Sequence, residues 1–327
     1  MGANTKRKRC APSSNRAGGH VEPKYHLKHG EPIGKGFGRI ASEQITAAIQ
    51  QLSRNGESLD ARVHEARKNV KKTRAVLRLL RSAIGKLYRR ENRTLQEVSR
   101  KLSELRDAQA LIEIFDRLNA KYRNSLGNRT LMPVRHGLVQ RKTQLSKRFH
   151  TSGDLPAIVE TLHEVCERIG NWPMDNMDLS AALNGIAASV RRGKRAFDQA
   201  SANPRPENFH EWRKRAKDLR YQLGLLGKAW PAVFAAYEES ARDLEQHLGD
   251  DHNVAVLRDT VLQSPDRFGA DEQLQALMPL IDAYQQELRE QAEILGRRLY
   301  ADKPKQWRKR VSVCWSAWTH ETSSAAL

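Results

Sequence analysis

Two stretches of this chain are copies of one pattern at a fixed distance. Residues 63–80 read VHEARKNVKKTRAVLRLL and residues 209–226 read FHEWRKRAKDLRYQLGLL, so a shift of 146 pairs His64 with His210, Arg67 with Arg213, Lys71 with Lys217 and Arg74 with Arg220. The same shift pairs LSELRDAQAL (102–111) with LGDDHNVAVL (248–257). Two blocks that share one ungapped shift argue for a duplicated structural unit. Any fold for this chain has to hold two copies of that unit.

The spacing of apolar residues says what the unit is made of. From about residue 39 onward it is helical, with candidate helices at 39–54, 60–89, 92–123, 131–149, 155–170, 179–201, 207–229, 232–263, 271–300 and 304–320. Pro133, Pro206, Pro231 and Pro304 fall near helix starts, where the missing N–H costs nothing. No alternating strand pattern occurs, and the chain reads as all-α. Paired by the shift, the helices make two sets of four, at about 39–150 and 179–302, joined by a connector at 151–178 and followed by a C-terminal helix at 303–322. The expectation is two antiparallel four-helix bundles of long helices related by a pseudo-twofold axis. Trp307, Trp315 and Trp318 are expected to pack the last helix onto the second bundle rather than to form a membrane or partner surface. Residues 1–38 lack periodicity, are rich in Lys, Arg, Gly, Ser and Pro, and read as a disordered basic tail.

The repeated helix is two-faced. At about 100° per residue, His64, Arg67, Lys68, Lys71, Arg74 and Arg78 fall within an arc of roughly 120°, opposite a core seam of Ala66, Val70, Thr73, Leu77 and Leu80. In the second copy, Trp212, Ala216, Leu219, Leu223 and Leu226 form the seam. His210, Arg213, Lys214, Lys217 and Arg220 form the stripe, with Tyr221 at its edge. A solvated helix face normally mixes signs at i, i+4, because like charges there repel. These stripes carry no acid between their cations, which suggests a bound polyanion. The second repeated block places Arg106 and His252 at equivalent positions, each 42 residues after a stripe histidine. That spacing lets the chain run up one helix and return on the next. Arg135, Arg141 and Lys142 on the fourth helix, and Arg191 and Arg195 on the first helix of the second half, are expected to widen the basic surface into a groove.

Charge narrows the partner class. The 327 residues carry 57 Lys and Arg against 38 Asp and Glu, a net charge of +19. Nucleic acid, an anionic membrane or polyphosphate could match it. No apolar run is long enough to span a membrane. Cys10, Cys166 and Cys314 are widely spaced and form no CxxC pair, so neither a zinc site nor a disulfide framework is indicated and a cytoplasmic protein is expected. HEARK and HEWRK place a lysine where HExxH has its second histidine, which excludes that zinc motif.

The ordered series VHEARKNVKKTRAVLRLL, LSELRDAQAL, FHEWRKRAKDLRYQLGLL, LGDDHNVAVL resembles a CHAD domain, the "conserved histidine α-helical domain", over about residues 39–302. The resemblance implies paired four-helix bundles with a basic central surface. It also implies binding of long-chain inorganic polyphosphate and, in bacteria, location on polyphosphate granules with their associated proteins. The family's basic and histidine positions carry over onto His64, Arg67, Lys71, Lys72, Arg74 and Arg106, and onto His210, Arg213, Lys217, Arg220, Tyr221 and His252. Asp218 stands where Lys72 stands in the first half, and Asn253 where Asp107 stands. Some family members carry a CYTH triphosphatase domain marked by ExExK, a motif that the first 40 residues lack. A non-catalytic binding module, with no metal and no cofactor, is therefore expected.

Two other readings compete. A nucleic-acid binder shares the charge, but single-strand readers interleave aromatics for base stacking, and the stripes have only Tyr221. Nucleic acid is then a non-specific competitor. A phosphoanhydride-processing enzyme would need metal and in-line positioning. GKGFG at 34–38 is too short for a P-loop, and the repeat supplies no paired carboxylates in both copies.

Overall fold

The computed structural model describes residues 23–126 and 131–321, and among them there is no strand. The helices are α1 (Ile33–Ser53), α2 (Leu59–Leu79), α3 (Arg81–Lys101), α4 (Ser103–Lys121), α5 (Arg123–Leu126), α6 (Met132–Thr151), α7 (Asp154–Ile169), α8 (Leu179–Ala202), α9 (Pro206–Leu226), α10 (Pro231–Gln263), α11 (Asp271–Leu299) and α12 (Pro304–Glu321). None of them is long and apolar enough to cross a membrane. Local chemistry sets several starts. Ser58 Oγ accepts the Ala61 N–H at 3.3 Å to cap α2, and Asp178 accepts the Ser180 N–H at 3.0 Å to cap α8. Prolines open α9, α10 and α12, as their fixed φ favours.

The repeat is visible in the packing. Under the 146-residue shift α1 corresponds to α8, α2 to α9, α3 and α4 together to α10, and α6 to α11. Helix α1 packs on α2 as α8 packs on α9, and α2 on α3 as α9 on α10. The shift also brings α12 near α7, and α7 packs on α1 as α12 packs on α8. The connector helix and the C-terminal helix are thus equivalent, and the unit has a fifth helix that the four-helix expectation left out. Trp307, fully buried against Tyr237 at 4.7 Å between ring centroids, belongs to the core.

Three further expectations are corrected. The helix expected at 60–89 stops at Leu79, and the one expected at 92–123 divides at Leu102, whereas α10 runs unbroken through the equivalent region. Gly85, at φ +39°, bends α3 just after the first break. The buried core does not divide by sequence half. One cluster joins α1, α2, α3, α7, α8, α9 and α12 to the N-terminal part of α10 and the C-terminal end of α11; the other joins most of α4 and α6 to the rest of α11 and the C-terminal part of α10. Residues 23–38 do not belong to the disordered tail expected at 1–38. Leu27 and Phe37 are buried, α1 begins at Ile33, and the Tyr25 hydroxyl donates to the Lys72 carbonyl at 3.0 Å. Residues 1–22, with Cys10 and His20, lie outside the described residues.

Close approach positions α2. A Cβ on Gly185 of α8 would lie 1.9 Å from the Leu79 carbonyl oxygen, so only glycine lets α8 cross the end of α2. Helix α2 then lies beside both α8 and α9.

Candidate functional site: a cationic cleft between the repeated helices

A cleft of about 690 Å³ opens where α2 and α9 meet α4 and α10. Nine Lys and Arg and four Asp and Glu line it. Of the expected site residues, His64, Arg67, Lys68, Lys71 and Arg106 line it from the first half. His210, Arg213, Lys214, Lys217, Arg220, Tyr221 and His252 line it from the second. The two repeated motifs thus converge on one site.

The stripes meet near their middles, where Lys71 acts on Lys217 and Arg67 on Arg213. Lys71 is held well below its ordinary pKa, first by the charge of Lys217 and then by burial. Burial lowers Lys217 to about 8, with Glu245 opposing and Arg213 adding to the shift. Burial likewise lowers Arg67 and Arg213. The His210 and His252 rings lie 4.4 Å apart between centroids. Burial and then Arg213 press His252 down to about 3, and burial lowers His210 and His64 as well. Both rings of the pair are therefore neutral at physiological pH and can donate one hydrogen bond each.

Acids from other elements balance part of this charge, correcting the picture of uninterrupted cations. Glu245 of α10 bonds Arg220 at 2.7 Å and Lys217 at 3.2 Å. Asp107 bonds Arg67 at 3.4 Å, Glu113 bonds Arg106 at 2.8 Å, and Asp250 bonds Arg117 at 2.6 Å. The glutamate after each stripe histidine pairs with the lysine three residues on, Glu65 with Lys68 and Glu211 with Lys214. Among the described residues Lys71 and Arg213 make no ion pair within 4.0 Å. Arg213 Nε and His210 Nδ1 are buried without a hydrogen-bond partner.

Sequence reasoning missed Arg117, Glu113 and Glu245. The signal was present for the acids. Glu113 follows Arg106, and Glu245 precedes His252, by seven residues, two helical turns on the same face.

The remaining expected residues lie outside the cleft. Lys72 is buried, its ammonium 5.3 Å from the Tyr25 ring centroid, so it is not a stripe residue. Asp218, its equivalent, is likewise buried and bonds Arg78 at 2.5 Å; it does not weaken the second stripe. Arg74 donates to Asn92 at 3.2 Å. Arg135 pairs with Asp116 at 2.8 Å and Lys142 pairs with Asp60. Arg141 lines a separate small cavity against Arg267, and Arg191 and Arg195 are exposed on α8. These cations do not widen the cleft, because they engage local partners or face elsewhere.

Duplicated helices thus meet around one histidine-bearing cationic cleft in an all-helical chain. The family model of the CHAD domain matches residues 43–262, and the chain belongs to that family. The match ends within α10, so α11 and α12 lie beyond it. No curated protein matches the chain.

Proposed function

We propose that this chain binds inorganic polyphosphate in the cleft between α2 and α9, without catalysis, and that this binding carries it to polyphosphate granules. The observation that carries the reading is the pair Lys71 and Arg213, half-buried cations that make no ion pair among the described residues where the two stripes meet. A polyanion relieves their mutual repulsion, and arginine can hold two phosphate oxygens at once. Polyphosphate suits the site because its recognition requires only linear charge. The family's association with polyphosphate points the same way.

Each cleft carboxylate is engaged by a cation, Asp107 by Arg67, Glu113 by Arg106, Asp250 by Arg117 and Glu245 by Arg220. That arrangement favours holding a ligand over activating a metal or water for phosphoryl transfer. Tyr221 is the one Phe, Tyr or Trp among the described cleft residues, which argues against base stacking and hence against nucleic acid as the preferred ligand.

The test is a competition titration of long-chain polyphosphate against single-stranded RNA and duplex DNA at equal phosphate, with the wild type and a K71E/R213E variant. The expected result is preferential binding of polyphosphate that the double variant loses while its helicity stays. Equal or tighter binding of nucleic acid, or unchanged affinity in the variant, would overturn the reading.

A further inference from the structure

Outside the cleft the strongest unassigned feature is a second cationic cluster, built from arginines on four helices. Arg74 and Arg78 come from α2, Arg81 from the start of α3, Arg192 from α8 and Arg215 from α9, and none of them lines the cleft. Asp218 lies 2.5 Å from Arg78 and 3.7 Å from Arg215, and its charge also acts on Arg74 and Arg192. Arg215 also pairs with Glu211. Arg81 lies over the Tyr88 ring at 5.1 Å. Arg192 donates to Ser189 at 3.0 Å, while its Nε is buried without a partner. Like charges act within the cluster, Arg78 on Arg74, and Arg215 and Arg81 on Arg192. Burial and then Arg78 lower Arg74 to about 10, and burial followed by the charge of Arg215 lowers Arg192.

This cluster is a continuation of the first stripe. Arg74 and Arg78 share a helix face with Arg67 and Lys71, and lie about 5 Å and 10 Å further along the axis than Lys71. A flexible chain leaving the cleft past Lys71 therefore meets Arg74 next and then the arginines gathered around Asp218. The second half has no counterpart. Arg220, the equivalent of Arg74, is turned into the cleft by Glu245, and Gly224 stands at the position of Arg78. The exit is therefore one-sided.

We propose that Arg74, Arg78, Arg81, Arg192 and Arg215 form a second anion subsite that takes the run of polyphosphate emerging from the cleft past Lys71. This rests on the cleft being the polyphosphate site. It makes affinity depend on chain length, because a short oligophosphate fills the cleft alone while a long one engages both.

The experiment compares tripolyphosphate with long-chain polyphosphate on the wild type, on R81Q/R192Q and on R81E alone. The single variant changes only an exposed side chain and guards against a folding defect in the double. By analogy with flexible single strands, each lost phosphate contact lowers the salt slope by about 0.7 and costs roughly half a log unit near 0.15 M salt. Long-chain affinity of the double variant should fall roughly tenfold, and R81E should weaken it in the same direction. Tripolyphosphate affinity should stay within about twofold. Unchanged long-chain affinity and slope in both variants would overturn the subsite while leaving the cleft intact. An equal loss for tripolyphosphate would overturn it too, by showing that these arginines act on the cleft. Wild-type protein that binds no polyphosphate would instead sink the cleft reading and this one with it.

Discussion

Glu245 offers the sharpest test of whether the cleft is limited by its own acids. Its carboxylate holds Arg220 at 2.7 Å and Lys217 at 3.2 Å, and all three side chains are mostly buried. Burial alone would raise its pKa, but Lys217 and Arg220 outweigh it and keep the group ionised. Glu245→Gln retains the shape and removes the charge. In the free protein it leaves two cations without a partner, a cost of about 3 kcal/mol, at the lower end for a broken buried pair because the group keeps some solvent. In the complex those cations turn to the ligand. Two contacts at roughly half a log unit each give about tenfold tighter binding near 0.15 M salt. The pH dependence sharpens as well. Glu245 supports the charge of Lys217, so without it the amine drops further below about 8 and has to be protonated on binding. The gain is therefore largest below neutral pH and fades as the solution becomes alkaline. Thermal unfolding with and without polyphosphate reads the stability loss and its rescue, and calorimetry reads the affinity. A folded E245Q variant that bound more weakly at every pH would refute the reasoning, because Glu245 would then be positioning the cations rather than competing for them.

Polyphosphate binding should take up protons, since a polyanion raises the depressed pKa values of Lys71, Lys217 and His252; affinity should fall as pH rises above about 8 and rise below about 6.5. Calorimetry in buffers of different ionisation enthalpy counts those protons. In the free protein, burial depresses His252, so the unfolded chain binds more protons between about pH 3 and 6.5, and stability should drop as pH falls through that window. Guanidinium midpoints against pH check this. K71Q should weaken binding several-fold yet raise the melting temperature, because it removes a like-charge contact with Lys217; a lowered melting temperature would count against the repulsion. G185A should destabilise by about 3 kcal/mol in urea, since its methyl would meet the Leu79 carbonyl.

The sequence made the repeated helix legible for a physical reason. His64, Arg67, Lys68 and Lys71 share a face by helical spacing alone, and so do their equivalents, so one periodicity located most of the cleft. What it could not supply was contact between helices. Lys72 sits at the margin of the stripe on a helical wheel, and only the packing of Tyr25 against α2 turns it away. Pairing of Glu245 with Lys217 depends on how α10 lies along α9, which no local pattern encodes. The breaks at Leu80 and Leu102 carry neither proline nor glycine, so the continuous apolar spacing ran through them. Helix α7 looked like a connector because its apolar pattern shares no motif with α12. Its equivalence lies in packing on α1 as α12 packs on α8.

The meeting of the two stripes is the step that joins fold to function. Where duplicated helices meet, residues near the meeting point come close to their own copies, which is harmless for apolar side chains and unfavourable for charged ones. Trp212, Ala216 and Leu219 on the seam of α9 are buried in the core. On the cleft side, Lys71 faces Lys217, and Arg67 feels Arg213. A fold needing only stability could place glutamine at Lys71 and gain, since no ion pair would be lost. Acids on α4 and α10 instead neutralise the outer cations and leave Lys71 and Arg213 without an ion pair at the centre. The free cleft is thus held in a state that a linear polyanion relaxes. Binding and stability should move in opposite directions when central cations are removed, a relation that an ordinary solvated basic face would not produce.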